Sequence, residues 1–253
     1  MAKQPQFING EIYHVIHRGV EGRKIFQQDS DRFRALFCLY ECNDKNAVNM
    51  RDRIGLRLKR NRTRENVLGD TYDIFSRKKK RELLVEILVF CLMPNHFHLA
   101  LRQLVKGGIS LFMKKFGDAY VGYFNKKYER EGMGSLFQGT FKSVYVKTDD
   151  QFANLISYIF TNPVELLEKD WKEREAKDPA KAIKFLERYP WSSYLDCVGK
   201  ENFPSLTQRD FLLKVFKGPE NIKKFVEGWI FYKSELNKGF SEIEDLTLER
   251  RQN

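Results

Sequence analysis

Two histidines one residue apart, His96 and His98, sit in the hexapeptide Met93-Pro94-Asn95-His96-Phe97-His98. They are half of the chain's four histidines. On an extended strand such residues share a face, with Cα atoms roughly 6–7 Å apart. Two imidazoles so placed can hold one metal ion, or they can make ordinary hydrogen bonds on a half-buried strand. Tyr158 and Asn162 form a second pair. Four residues apart, they share one face of a helix. A hydroxyl there could attack phosphorus, and an amide oxygen could ligate a metal. Equally, Tyr158 suits a packed core, and Asn162 suits a helix C-terminus before Pro163.

These four residues need a strand and a helix to carry them. Glu11 to Arg18 alternates and is β-rich, so it reads as a first strand, ended by Gly19 and Gly22. A helix follows through Phe33, Leu36, Phe37 and Tyr40, capped by Asp29 or Ser30. Leu83 to Leu92 is a near-continuous apolar strand, Pro94-Asn95 turns the chain, and His96 to Arg102 returns as a hairpin partner. Phe97, Leu99 and Leu101 then point away from the histidines, into a core. Ile109 to Arg130 has helical periodicity and Phe141 to Lys147 alternates. A helix capped by Asp149 or Asp150 runs through Phe152, Leu155, Ile156 and Ile159 to Asn162-Pro163. The order β-α-β-β-α-β-α predicts an α+β protein, a ferredoxin-like split βαβ antiparallel sheet with Tyr158 on the helix after the fourth strand. Helices are expected on one sheet face, leaving the other free for a site. Residues 1–165 read as the catalytic domain, with a basic insertion at about 44–81. Residues 166–253 read as a polar connector and a helical C-terminal extension.

The charge distribution points to a polyanion. Residues 1–163 carry 28 Lys and Arg against 17 Asp and Glu, while 164–253 carry 17 of each, so the whole net charge of +11 lies in the first part. Within 51–81 there are twelve basic and four acidic residues. An excess localised in this way is the electrostatic footprint of nucleic-acid binding, unless it is a solvated face. Arg18, Arg23, Lys24, Arg102, Lys114, Lys115 and Lys142 are the candidate phosphate contacts, and Arg77 to Arg81 could track a strand. The absence of an apolar run long enough for a membrane span, and of an N-terminal signal, predicts a cytoplasmic protein. Cys38, Cys42, Cys91 and Cys197 form no Cys-x-x-Cys and read as reduced core thiols. His14 and His17, three apart on the first strand, face opposite ways, so at most one approaches the site; both read as ordinary strand histidines.

Six segments, in order, resemble the REP-associated tyrosine transposases. These belong to the His-hydrophobe-His single-strand endonuclease superfamily and are relatives of the small IS200-like transposases. The segments are Tyr13 to Gly19, Phe26 to Asp29, Leu92 to Leu99, Leu136 to Ser143, Tyr158 to Val164 and Trp191 to Tyr194. The likeness covers roughly residues 7–200 and weakens in 44–81. Thr140, Thr161 and Glu165 depart from the family pattern, and none removes a catalytic group.

The resemblance implies roles for these residues. His96, His98 and Asn162 would be metal ligands, and Tyr158 the nucleophile in preference to Tyr120, Tyr123, Tyr128 or Tyr145. The cofactor would be Mg²⁺ or Mn²⁺, although imidazole pairs suit softer metals, which makes Mn²⁺ the better chemical fit. A phenol with pKa near 10 is only about 0.1% ionised at pH 7, so a cation that polarises the scissile phosphate is needed. The implied activity is metal-dependent cleavage and transfer of a DNA strand through a 5′-phosphotyrosine. The implied partner is single-stranded or hairpin DNA, bound by a monomer or a homodimer. The main alternative is a domesticated DNA-binding protein that does not cut. An RNA-binding module on the same sheet is a third.

Overall fold

The computed structural model describes residues 7–55, 81–130, 132, 134–169, 171 and 176–236, with side chains through 231. Of the run Arg77 to Arg81, only Arg81 lies among the described residues; it donates to Tyr40 O at 2.6 Å and lies over the Tyr40 ring.

Four antiparallel strands form one sheet in the order β2-β3-β1-β4. They are β1 (Ile12–Arg18), β2 (Val85–Met93), β3 (His96–Gln103) and β4 (Lys142–Val146). Helix α1 (Asp29–Cys42) links β1 to β2, and α2 (Gly108–Lys127) links β3 to β4. Strand β3 thus lies between β1 and β2, which run the same way. The β2–β3 hairpin turns at Pro94-Asn95 as its sequence requires. Helix α3 (Asp149–Thr161) follows β4 and passes into a 3-10 turn over Asn162–Leu166. Then come α4 (Pro179–Leu186), α5 (Tyr194–Cys197), α6 (Asp210–Val215) and α7 (Pro219–Leu236).

Both faces of the sheet are covered, which corrects the expectation of a bare site face. Helices α1 and α2 pack beneath it, where Phe97 meets Phe116 at 5.2 Å between ring centroids. Helix α3 packs on the opposite face against β2 and β3, and α7 packs behind it. The physical signal is in β2 itself. An apolar run without alternation has two faces to bury, and Val85 and Ile87 through Met93 are all buried. Residues 164–190 are more than a connector: they include α4, whose Ala182 and Leu186 are buried, and the buried Trp171.

Strand β2 is a sheet edge, and the C-terminal segment closes it. Leu92 N donates to Trp191 O at 2.8 Å, Ser193 N to Phe90 O at 3.0 Å, and Phe90 N to Ser193 Oγ at 2.9 Å. Gln208 pairs with both backbone groups of Ile87. Backbone groups that an edge strand leaves open are satisfied here within the chain.

Two helix starts differ from expectation. The cap of α3 is Thr148, whose Oγ accepts from Gln151 N, while Asp149 and Asp150 fill the first turn, where their charge suits the helix dipole. The cap of α1 is Gln28, with Asp31 closing a capping box. Asp31 does more than cap. Its buried carboxylate accepts from Gln27 N and Gln28 N, from Lys127 Nζ at 2.6 Å, and from the hydroxyls of Tyr123 and Tyr128. Burial pushes its pKa up, but the Lys127, Tyr128, Gln28 and Tyr123 donors outweigh this and hold it below the ordinary 3.8. A depressed carboxyl stabilises the fold above the unfolded value and loses that contribution as pH falls through the folded one. Asp31→Asn should therefore cost about 3 kcal/mol at neutral pH. The gap in urea unfolding between the two proteins should begin to close below about pH 4 and keep shrinking as pH falls further; a gap unchanged in strong acid would show that the charge is not what matters.

All four cysteines are free and buried, and burial pushes the thiols of Cys38 and Cys197 up to about 12. Among the described residues no helix is long and apolar enough to cross a membrane.

Candidate functional site

Register places the site-face residues of neighbouring strands side by side. His96 lies opposite Arg18 and Met93, and His98 opposite Ile16 and Cys91. Directly opposed residues point to the same face, so His96, His98, Arg18 and His14 all look toward α3. Ile16 is also opposite Lys142, which brings that exposed lysine of β4 to the same face. His17 looks the other way. It stacks on Phe137 at 4.0 Å, its Nε2 meets Gly139 O at 3.2 Å, and burial lowers its pKa to about 4.

Helix α3 brings Tyr158 and Asn162 over these histidines. Asn162 Nδ2 is 3.1 Å from His98 Nε2, and both residues are fully buried. The Tyr158 ring stands edge-on to His98 at 5.4 Å and to His14 at 6.0 Å. The His96 and His98 rings are perpendicular, 4.8 Å apart. The four residues singled out by spacing are thus one cluster.

His14 is the fifth member, and it had read as an ordinary strand histidine. Its Nε2 lies 2.9 Å from His98 Nδ1, with the rings stacked at 5.1 Å. The proton positions follow from the donors. With the Asn162 amide nitrogen donating, His98 Nε2 must accept, so the proton sits on Nδ1 and is donated to His14 Nε2. This fixes the tautomer of His98 and leaves its Nε2 lone pair turned toward Asn162. On the other side, His96 Nδ1 is 2.7 Å from Asn95 Oδ1. The alternation of β1 put one of His14 and His17 on the site face, but only the β1–β3 register shows which one reaches His98.

Two imidazoles and an amide are a fair donor set for a divalent cation. Asn162 Oδ1 is buried and makes no hydrogen bond. A half-turn of the amide would exchange Oδ1 for Nδ2 beside His98. Among the described residues no three His, Cys, Asp or Glu side chains gather in a metal-holding group, and this amide is the donor that would join the two imidazoles.

The cluster opens onto a cleft of about 340 Å³ lined by Arg18, Lys24, Asn95, His96, Asn162 and Glu165, among others. Tight packing fixes its wall. Ile25 N and Phe26 N donate to Pro94 O, and Gly19 N donates to Asn95 O at 2.7 Å, so the loop carrying Lys24 is tied to the hairpin turn carrying His96. A Cβ on Gly19 would lie 2.3 Å from Arg23 O, which only glycine avoids.

The remaining candidate phosphate contacts divide. Arg102 is committed to structure: it pairs with Glu86 at 2.6 Å and lies over the Phe211 ring at 3.9 Å. Lys115 Nζ is held by Asp44 O and Asn46 O, and Lys114 pairs with Asp118. Both lie on α2, beneath the sheet and away from the cleft. Spacing shows the i,i+4 pair Lys114–Asp118, but Glu86, Phe211 and the carbonyls of Asp44 and Asn46 are remote in sequence from the cations they hold. Arg18, Lys24 and Lys142 remain at the site face, with Arg23 beside Lys24.

The rival tyrosines are engaged elsewhere. Tyr120 OH donates to Ile25 O, Tyr123 and Tyr128 donate to Asp31, and Tyr145 donates to Glu11. Burial raises the phenol pKa of the first three, and the Glu11 carboxylate raises that of Tyr145.

Comparison with known proteins gives two results. Residues 55–162 match the family model described as Transposase IS200 like. Among solved structures, one described as the REP-associated tyrosine transposase bound to a REP hairpin matches with a TM-score of 0.45 and 14% identity. The match covers 81% of this chain and 89% of that one. No curated protein matches the chain.

Proposed function

We propose, from the premise that residues 55–162 match the Transposase IS200 like family model, that the protein is a metal-dependent single-strand DNA endonuclease and strand transferase with Tyr158 as nucleophile. The observation that carries this reading is the convergence of Tyr158, His96, His98 and Asn162 beside a cleft that also presents Arg18 and Lys24.

His96 Nε2, His98 Nε2 and Asn162 Oδ1 would hold the divalent cation, Mn²⁺ or Mg²⁺. When bound, it withdraws electron density from the scissile phosphate and neutralises charge that builds in the transition state. The protein's own residues do the rest. Arg18, Lys24 and Lys142 attract and orient the strand. Tyr158 gives up its phenol proton and its oxygen bonds to phosphorus. The bond from phosphorus to the 3′ oxygen breaks, and that oxygen takes a proton and leaves as a free 3′-OH. The 5′-phosphotyrosine keeps the bond energy, so attack by another 3′-OH rejoins a strand without ATP. The substrate would be single-stranded DNA, or a hairpin with a single-stranded flank.

His14 acts as a positioning residue, through the tautomer of His98. Outer-sphere partners of metal-bound histidines are worth about 10–100-fold in metal affinity. His14→Phe, which keeps the ring, should weaken Mn²⁺ binding by about that factor in calorimetry without added DNA. Affinity equal to that of the unaltered protein would remove His14 from the site.

The test of the function is incubation with pooled single-stranded and hairpin oligonucleotides and Mn²⁺, followed by a denaturing gel and peptide mass spectrometry. The expected product is a DNA adduct on Tyr158. Tight, salt-sensitive binding with no adduct on any oligonucleotide would favour a non-cleaving DNA-binding protein instead.

A further inference from the structure

A second cleft, about 490 Å³, adjoins the first and shares Lys24 with it. Its other lining residues are Arg23, Gln27, Phe124 and Arg130. Among the described residues, three cations and an amide line it, and no carboxylate does.

Arg130 is the unusual member. It follows the end of α2 through Glu129, whose φ of 50° turns the chain back on itself. The side chain is only 7% exposed, and its guanidinium lies over the Phe124 ring at 5.7 Å. Nη1 donates to Asn125 Oδ1 at 3.2 Å, while Nη2 is buried with no hydrogen-bond partner. No described carboxylate forms an ion pair with it. A guanidinium stays charged, so its burial without a counter-charge among the described residues is costly, and an incoming anion would offset that cost. Arg23 has Glu21 at 3.6 Å, but that carboxylate is 81% exposed and the pair is weak.

We propose that this second cleft is a phosphate-binding site. Two guanidiniums suit the oxygens of a phosphate, to which they can bond in pairs, and Lys24 and Gln27 add donors at the rim. On the reading given above, on which this step rests, the phosphate belongs to the bound strand. It lies near the one beside His96, because Lys24 forms a wall of both clefts. The strand is thus held at two points, one where it is cut and one where it is only gripped.

The experiment uses the full chain and an oligonucleotide in which each phosphate in turn is replaced by a neutral methylphosphonate. One position other than the scissile one should weaken binding by about tenfold. That loss should vanish in Arg130→Gln, which no longer distinguishes a charged from a neutral group there. Arg130→Lys, with charge but no fork, should restore part of it. An unchanged interference pattern in a folded Arg130→Gln protein overturns the proposal. If Arg130→Gln does not fold, Lys24→Gln and Arg23→Gln carry the same comparison from the exposed rim. If no oligonucleotide binds at low salt, it is the DNA reading that fails, and inorganic phosphate then decides the cleft. Saturable NMR shifts at Arg130 Nε would keep a site for free phosphate, and no shift would overturn it.

Discussion

Tyr158→Phe should abolish the covalent protein–DNA adduct and reduce cleavage by about 10⁴-fold or more, the scale on which enzymes lose rate when a nucleophile is removed. Affinity for the uncut oligonucleotide should stay within about twofold, because one buried hydroxyl is lost and no cation in the cleft is touched. Tyr158 is 6% exposed and its ring is wedged against His14 and His98, so phenylalanine fills the same volume. The measurement pairs an adduct gel with fluorescence anisotropy on the same oligonucleotide. Cleavage that survives in Tyr158→Phe would falsify the assignment of the nucleophile. Tyr120, Tyr123, Tyr128 and Tyr145 are not easy replacements, since each donates to an acceptor of its own.

His96→Ala should reduce cleavage by about 10³-fold at moderate Mn²⁺, the equivalent of several kcal/mol of lost charge stabilisation. His96 stands at the mouth of the cluster, where it lines the cleft, whereas His98 is enclosed between His14 and Asn162. Removing His96 therefore leaves the inner hydrogen-bond chain in place, and the protein should unfold at nearly the same urea concentration. Two readouts separate metal loss from collapse: weaker Mn²⁺ binding in calorimetry, and partial recovery of cleavage at high Mn²⁺. Full activity without recovery by metal would dismiss His96 as a ligand. His98→Ala should be worse for stability, because it removes the hydrogen bonds that His98 makes to His14 and Asn162.

Much of this arrangement can be read from spacing. Alternation on β3 separates His96 and His98 from Phe97 and Leu99, and a four-residue step on α3 unites Tyr158 with Asn162. Pro94-Asn95 marks the hairpin turn, and the apolar residues of β2 and α3 mark elements that must be buried. What periodicity cannot supply is the identity of whatever lies opposite. His14 needed the β1–β3 register to become a partner of His98. Arg102 looked free until Glu86 and Phe211 were beside it, and Lys115 until the chain at Asp44 and Asn46 came within reach. Spacing does not single out Thr148 as the cap, because Asp149 and Asp150 suit the first turn as well as they would suit the cap. The continuous apolar character of β2 did signal two covered faces. The second cover, α3 with α7 behind it, starts at Asp149, well beyond the end of β2 at Met93, where local pattern has no bearing.

The pairing of Trp191–Ser193 and Gln208 with β2 bears on how far the chain can be shortened. A fragment stopped before Trp191 keeps every residue of the candidate active site, yet it uncovers a nine-residue, almost wholly apolar strand with vacant backbone donors and acceptors. Such a fragment has a template for recruiting copies of itself, and it should precipitate or form mixed oligomers where the full chain stays dispersed. Light scattering of the two at equal concentration would show it. The C-terminal segment occupies a place on β2 that another molecule would otherwise take.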